Sequence, residues 1–297
     1  MNFLKLRKSI VTPLLVGLAS LAATTAQAYE IYIEFDPSGN GSIQKFNSGN
    51  STGTPFSSGF GFPQGLVRDN SGNFYLVDQN VGQLLKVPAA GGSPTVLGNT
   101  GISPYDVAID SGGNLYVANY VANTVQKFGP TGTNLGNFVT GIFTPDGLAF
   151  DAAGNLYVSS YGDGTVQKYN VSGTLVGTIG SGVGPQGLTF DSAGNLYVAY
   201  SGSGVVKKYN SSGAFVSNFA SGLTQPTDLA FDPNGYLYVT DWGISGKVEI
   251  YSPTGVDLGP FLSNVPYVTG ILIVPEPGTA ALLLAGAAVS AARRRRR

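Results

Sequence analysis

The stretch DSAGNLYVAY (191–200) recurs as DNSGNFYLVD from Asp69, DSGGNLYVAN from Asp110, DAAGNLYVSS from Asp151 and DPNGYLYVTD from Asp232. In each copy a Gly stands three residues after the Asp. This is turn chemistry: the carboxylate accepts backbone N–H groups and the glycine takes positive φ. The apolar run after it reads as a short strand. Calcium is the rival reading, because DPSGNG at Asp36 and DNSGN at Asp69 look like part of a calcium loop. No bidentate Glu follows at the required distance, and repeats spread around a ring cannot share one ion. The ten residues therefore read as one hairpin used again and again.

A second landmark sets the period. Pro63, Pro104, Pro145, Pro185, Pro226 and Pro266 are spaced by 41, 41, 40, 41 and 40 residues. A fixed period near 40 marks a solenoid, propeller or array. In the third unit GLAFD (147–151), LYVSSY (156–161), TVQKYN (165–170) and LVGTIG (175–180) are four strands separated by turns, which makes a four-stranded blade. The last unit supplies only one strand, PYVTGILIV (266–274), while the body opens with YEIYIEFDPSGNGSIQKF (29–46). IYIEF (31–35) matches LYVSS, and SIQKF (42–46) matches TVQKY. The N-terminal strands thus complete the C-terminal blade, and the fold expected over 29–274 is an all-β, six-bladed propeller closed by its own chain ends. These units resemble NHL repeats, a six-bladed propeller family, along the whole body.

Composition narrows the chemistry. The 297 residues include no Cys and no His, which removes disulfide, thiolate and imidazole chemistry. Three basic residues lie in the first ten positions and five form the terminal run. Residues 29–274 hold 8 basic against 16 acidic residues, a net charge of −8. Such a surface argues against a nucleic-acid partner.

Both ends read as addresses. Residues 1–28 form a secretory signal peptide: Lys5, Arg7 and Lys8, then the apolar IVTPLLVGLASLAA, then AQA ending at Ala28, with cleavage before Tyr29. Sec export machinery is the partner this implies. At the other end Pro275-Glu276-Pro277 precedes the 14-residue apolar run Thr279–Ala292 and Arg293, Arg294, Arg295, Arg296 and Arg297. A helix of that run covers about 21 Å of a core of about 30 Å, so a membrane crossing needs its flanks. The arginines would hold the C-terminus in the cytoplasm and leave the body outside. The segment 275–297 resembles the PEP-CTERM sorting signal of Gram-negative bacteria. That resemblance implies an exosortase, a membrane-embedded cysteine protease, as partner. It also implies transient anchoring by a short transmembrane helix and delivery to the cell surface or the extracellular matrix, beside exopolysaccharide. The competing reading is a plain tail anchor.

Function is expected where the blades differ. The residues after the landmark prolines (Gln64, Tyr105, Asp146, Gln186, Thr227 and Tyr267) should ring the mouth of the central channel. Asp106 and Asp228 follow one position later, and Asp241 and Trp242 stand at the end of a second strand. Amides, carboxylates and aromatic faces suit a polysaccharide or a protein ligand. Lys45, Lys86, Lys127, Lys168 and Lys208 repeat in the third strands; the expectation for them is pairing from blade to blade.

TPDGLAFDAAGNLYV (144–158) also resembles the gluconolactonase-like propellers. There the residue between Pro and Gly binds a central divalent cation, here Asp146, but the matching positions of the other blades supply no second ligand. Streptogramin lyase resembles the repeats too but depends on His. The leading expectation is a noncatalytic binding or scaffold module with no cofactor. The alternative is a metal-dependent lactonase-like hydrolase centred on Asp146.

Overall fold

The computed structural model describes residues 28–36 and 39–276. The segment expected to be a signal peptide, apart from Ala28, and the expected sorting segment beyond Glu276 lie outside them. Among the described residues no helix is long and apolar enough to cross a membrane.

Among the described residues twenty-four strands, β1 to β24 in chain order, form six four-stranded antiparallel sheets. The first blade is β4–β7 (Pro63–Asn99), the second β8–β11 (Pro104–Thr140) and the third β12–β15 (Pro145–Ile179). The fourth is β16–β19 (Pro185–Ser221) and the fifth β20–β23 (Pro226–Leu262). The sixth joins the chain ends in the order β24 (Val268–Pro275), β1 (Tyr29–Phe35), β2 (Gly41–Asn47) and β3 (Thr54–Phe60). The closure expected from the half-repeats is therefore present, with Ile31 opposite Ile273 and Ile33 opposite Ile271. Pairing the two ends removes the open edges that an unclosed array would expose.

The repeated decapeptide builds one network in each of the five blades that carry it. In the second blade Asp110 accepts the amides of Gly112 and Asn114 at 2.9 and 2.8 Å, the Asn114 side-chain amide at 2.8 Å and the Tyr116 hydroxyl at 3.1 Å. Asp69 and Asp191 repeat this with Asn73 and Tyr75, and with Asn195 and Tyr197. Burial works against the charge of Asp69, Asp110, Asp151 and Asp191, but these hydrogen bonds outweigh it and hold the carboxyls below their usual range. The lysines join the same network. Lys168 reaches Asp151 at 3.1 Å and Lys208 reaches Asp191 at 3.6 Å, while Lys127, Lys168 and Lys208 sit over Tyr116, Tyr157 and Tyr197 at 4.9, 4.9 and 5.0 Å. These contacts lie within a blade and not between blades, correcting the expected pairing. Lys and Tyr are directly opposed across the second and third strands, as Lys127 and Tyr116 are, so the nearest carboxylate is the blade's own.

Blades pack through apolar faces of the same strands. Tyr116, Tyr157 and Tyr197 meet Phe150, Phe190 and Phe231 of the following blade edge to face at 4.9–5.0 Å. Each such pair adds about 0.5–1.5 kcal/mol beyond area burial. The core is thus a ring of inter-blade layers around a channel lined by the innermost strands.

Candidate functional site

Each innermost strand begins at one mouth of the channel. There the residue after the landmark proline lines a cavity of about 250 Å³: Gln64, Tyr105, Asp146, Gln186 and Thr227 all face it. In the sixth blade the lining residue is Thr269 and not Tyr267. The register explains the correction. Phe35 pairs with Val268 and Ile33 with Ile271, as Asn119 pairs with Pro104 and Val117 with Val107. Val268 therefore occupies the proline position, two residues beyond Pro266. Tyr267 is equivalent to Ser103 and Thr144, with φ of 56° against their 56° and 49°. Left-handed backbone is unusual for so bulky a residue. Its ring still reaches the rim, 5.4 Å from Trp242.

A second tier comes from the residue just after the second strand in four of the blades. Gln79, Tyr161, Ser201 and Trp242 line the cavity. Strand alternation accounts for this: Asp78 and Asp241, one residue earlier, point away from the channel. Asp241 is 1% exposed, and its carboxylate accepts the amides of Thr224 and Gln225 at 2.9 and 2.6 Å. Asp78 does the same for Gly61 and Phe62 at 2.6 and 3.1 Å. Asp241, a candidate ligand residue by sequence, is thus an anchor of the loop entering its blade and does not line the cavity.

The remaining carboxylates divide by role. Asp106 and Asp228 sit where the equivalent positions carry Gly65, Gly147, Gly187 and Gly270. They lie in the second and fifth blades, across the ring from each other. Asp106 accepts Val107 N and Leu148 N, both at 2.7 Å; Asp228 accepts Leu229 N at 2.8 Å and Ile271 N at 2.9 Å. Each clasps its innermost strand to the next blade. Burial, joined by the charge of Asp228, pushes Asp106 well above the usual carboxylate range against those amide bonds. Burial pushes Asp228 up to about 6.

Asp146 differs. It is 6% exposed, and its Oδ2 accepts one bond, from Gln186 Nε2 at 3.3 Å. Oδ1 accepts none among the described residues. Burial pushes its pKa up to about 7, against the Gln186 bond and with the charge of Asp228 adding to the rise. Behind this tier lies Glu34, fully buried, with neither oxygen hydrogen-bonded. Burial first, then the charges of Asp228 and Asp106, hold it well above its usual range. Its carboxyl fills space left by Gly270, where an added Cβ would lie 2.2 Å from Oε2.

A divalent ion needs several oxygens around one point. Among the described residues no three acidic side chains form such a group. Asp106 and Asp228, which would have to assist Asp146, turn their oxygens to backbone amides. The donor set does not fit the cation that the gluconolactonase resemblance implies.

Aromatic rings complete the wall. Tyr105 stacks on Tyr120 at 4.4 Å and 24°, and Tyr161 stands 6.0 Å from Tyr120. Trp242 and Tyr267 face them from the fifth and sixth blades. Outside the cavity, Ile102, Phe143, Val183 and Ile244 crown the same mouth, between 54% and 79% exposed.

A closed six-bladed propeller with an acidic, aromatic cavity at one mouth is the class that fold and site define. No known family model and no curated protein matches the chain. Among solved structures it is similar to a chain in the crystal structure of a nidogen/laminin complex, at 20% identity and a TM-score of 0.69, covering 83% of this chain and 98% of that one. It is also similar to a protein of unknown function from Bacteroides caccae, at 16% identity and a TM-score of 0.64, covering 84% and 99%. At these identities the likeness is one of fold.

Proposed function

We propose that the protein is an exported, noncatalytic binding module. On this reading residues 1–28 direct Sec export, and residues 275–297 are a sorting segment acted on by an exosortase. The NHL-type ring of 29–274 then works at the cell surface or in the extracellular matrix, on exopolysaccharide or a matrix protein. One observation carries the binding role. The residues that break the repeat gather in one cavity, where Tyr105, Tyr161 and Trp242 offer ring faces and Gln64, Gln186 and Gln225 offer amides. Aromatic faces cover the apolar face of a sugar, and amides pair its hydroxyls. The nidogen/laminin likeness and the apolar crown support a protein ligand as the competing occupant. A hydrolase is disfavoured by the donor set around Asp146.

Trp242 is the only Trp and lines the cavity, so its fluorescence reports occupancy. Titration with oligosaccharides from the host's own exopolysaccharide should give a saturable change that Tyr105→Ala weakens. A flat response to every oligosaccharide and matrix protein tried would overturn the reading. Mass spectrometry of the exported protein should find Tyr29 at its N-terminus and the tail missing.

A further inference from the structure

Resting on that reading, we infer that the cavity takes a cationic amino sugar, a hexosamine unit with a free ammonium, whose charge is met by Asp146. The cavity is acidic without a counter-charge: Asp106, Asp146 and Asp228 line it, and no Lys or Arg does. Two of these three spend their oxygens on backbone amides. Asp146 alone keeps an oxygen, Oδ1, without a hydrogen bond, although the side chain is more than nine-tenths buried. A buried carboxylate of this kind calls for a partner that brings both charge and donors. An alkylammonium brings three donors on one charge and needs only one carboxylate, where a divalent ion needs several. Tyr105, fixed by its stack on Tyr120, adds an aromatic face of the kind that attracts such a cation.

The rest of the wall selects a sugar over a lysine side chain. The side-chain amides of Gln64 and Gln225 make no hydrogen bond among the described residues, yet both line the cavity. Each offers a donor and an acceptor. A lysine has a single polar tip and would leave them unpaired under the ligand, which is costly. At about 250 Å³ the cavity is smaller than the roughly 300–1,000 Å³ of pockets that enclose drug-sized ligands, so it admits one sugar unit and the edges of its neighbours.

The test titrates the full-length protein, through Trp242 fluorescence, with short β-1,4-linked glucosamine oligomers and with the same oligomers fully N-acetylated. Acetylation removes the charge and keeps the ring and hydroxyls. The free-amine oligomer is expected to bind at least about tenfold more tightly, the size of one charge-assisted hydrogen bond. Asp146→Asn should abolish that preference while the melting profile at pH 4 persists. Because the body is acidic, a preference that survives in Asp146→Asn would be non-specific attraction and would overturn the inference. Equal or tighter binding of the acetylated oligomer would also overturn it, yet would leave the saccharide reading standing. Binding of a lysine-bearing peptide with no response to either oligomer would overturn the inference and the polysaccharide reading together. Silence to all three probes would overturn the inference and remove its support from the binding role.

Discussion

Replacing Asp146 by Asn is the sharpest probe of the cavity, because it removes a charge and almost no volume. The carboxyl is pushed from 3.8 up to about 7 in the folded protein. A group whose folded pKa is raised binds its proton more tightly in the native state. Stability then falls as pH climbs from the unfolded value, near 4, to the folded value, near 7, and is level above it. About three units at about 1.4 kcal/mol each give a cost near 4 kcal/mol above pH 7, an upper figure because Asp228 titrates beside it. The Asp146→Asn variant would not carry that cost, and its amide would still hydrogen-bond Gln186. At pH 8 the variant should be more stable by up to about 4 kcal/mol, roughly 8–16 °C in melting temperature for a domain of this size. At pH 4 the two proteins should melt together. Calorimetric scans at half-unit pH steps would show a difference that opens between pH 4 and 7. A constant offset at every pH would refute the burial argument. A variant less stable at pH 8 would mean that a cation already holds Asp146 ionised.

That last outcome connects to the ions themselves. Thermal unfolding in EDTA, then with excess calcium, magnesium, manganese or zinc, should show no shift; about 2.7 kcal/mol of stabilisation at 100 times a dissociation constant would contradict the donor geometry. Gly270→Ala should cost about 1–3 kcal/mol by urea denaturation, because its Cβ would lie 2.2 Å from Glu34 Oε2, and less than about 1 kcal/mol in a Glu34→Ala background. Equal cost in both backgrounds would show that Glu34 does not fill that space. Asp241→Ala should lower stability by about 2–4 kcal/mol, since it strands the amides of Thr224 and Gln225, and leave saccharide affinity nearly unchanged. A selective loss of affinity would return Asp241 to the ligand site.

The fold is legible in the sequence because four blades solve the same local problem with the same residues and the fifth with nearly the same ones. The Asp takes the turn amides, the Gly turns the chain, and Asn, Tyr and Lys converge on the one carboxylate. Ring closure is legible from the half-repeats at the two ends. The site is less so, for identifiable reasons. Pro266 has the right spacing, but in the sixth blade Gly270-Ile271 is the pair equivalent to Gly147-Leu148, so spacing alone passes over Thr269 and points to Tyr267. Aligning TGILIV (269–274) on DGLAFD (146–151) finds it. Tyr161 and Gln79 escape a reading that aims the last residue of the second strand at the channel, because alternation hands that role to its successor. Glu34 stands where other blades carry Val77, Ala118, Ser159, Ala199 and Thr240. The pattern flags it as an oddity, but only packing against Gly270 shows why it is tolerated.

A sixfold repeat tends to cancel function, since identical positions face the axis from every side and favour no orientation of a ligand. Here the symmetry is broken unevenly. The two aspartates across the ring from each other, Asp106 and Asp228, are spent on joining adjacent blades, and Glu34 has no exposed surface. Of the three carboxylates that line the cavity, only Asp146 in the third blade keeps an unengaged oxygen among the described residues, and it is flanked by the Tyr105–Tyr120–Tyr161 arc of the second and third blades. Trp242 closes the opposite side from the fifth. A ligand with one charged end and one flat face therefore has a single favoured orientation: its cation toward the third blade, its apolar face against the tyrosines or the tryptophan. Loss of Asp146 should remove charge selectivity without loosening the ring. Loss of Asp106 or Asp228 should loosen the ring, and affinity should follow only as far as the fold does.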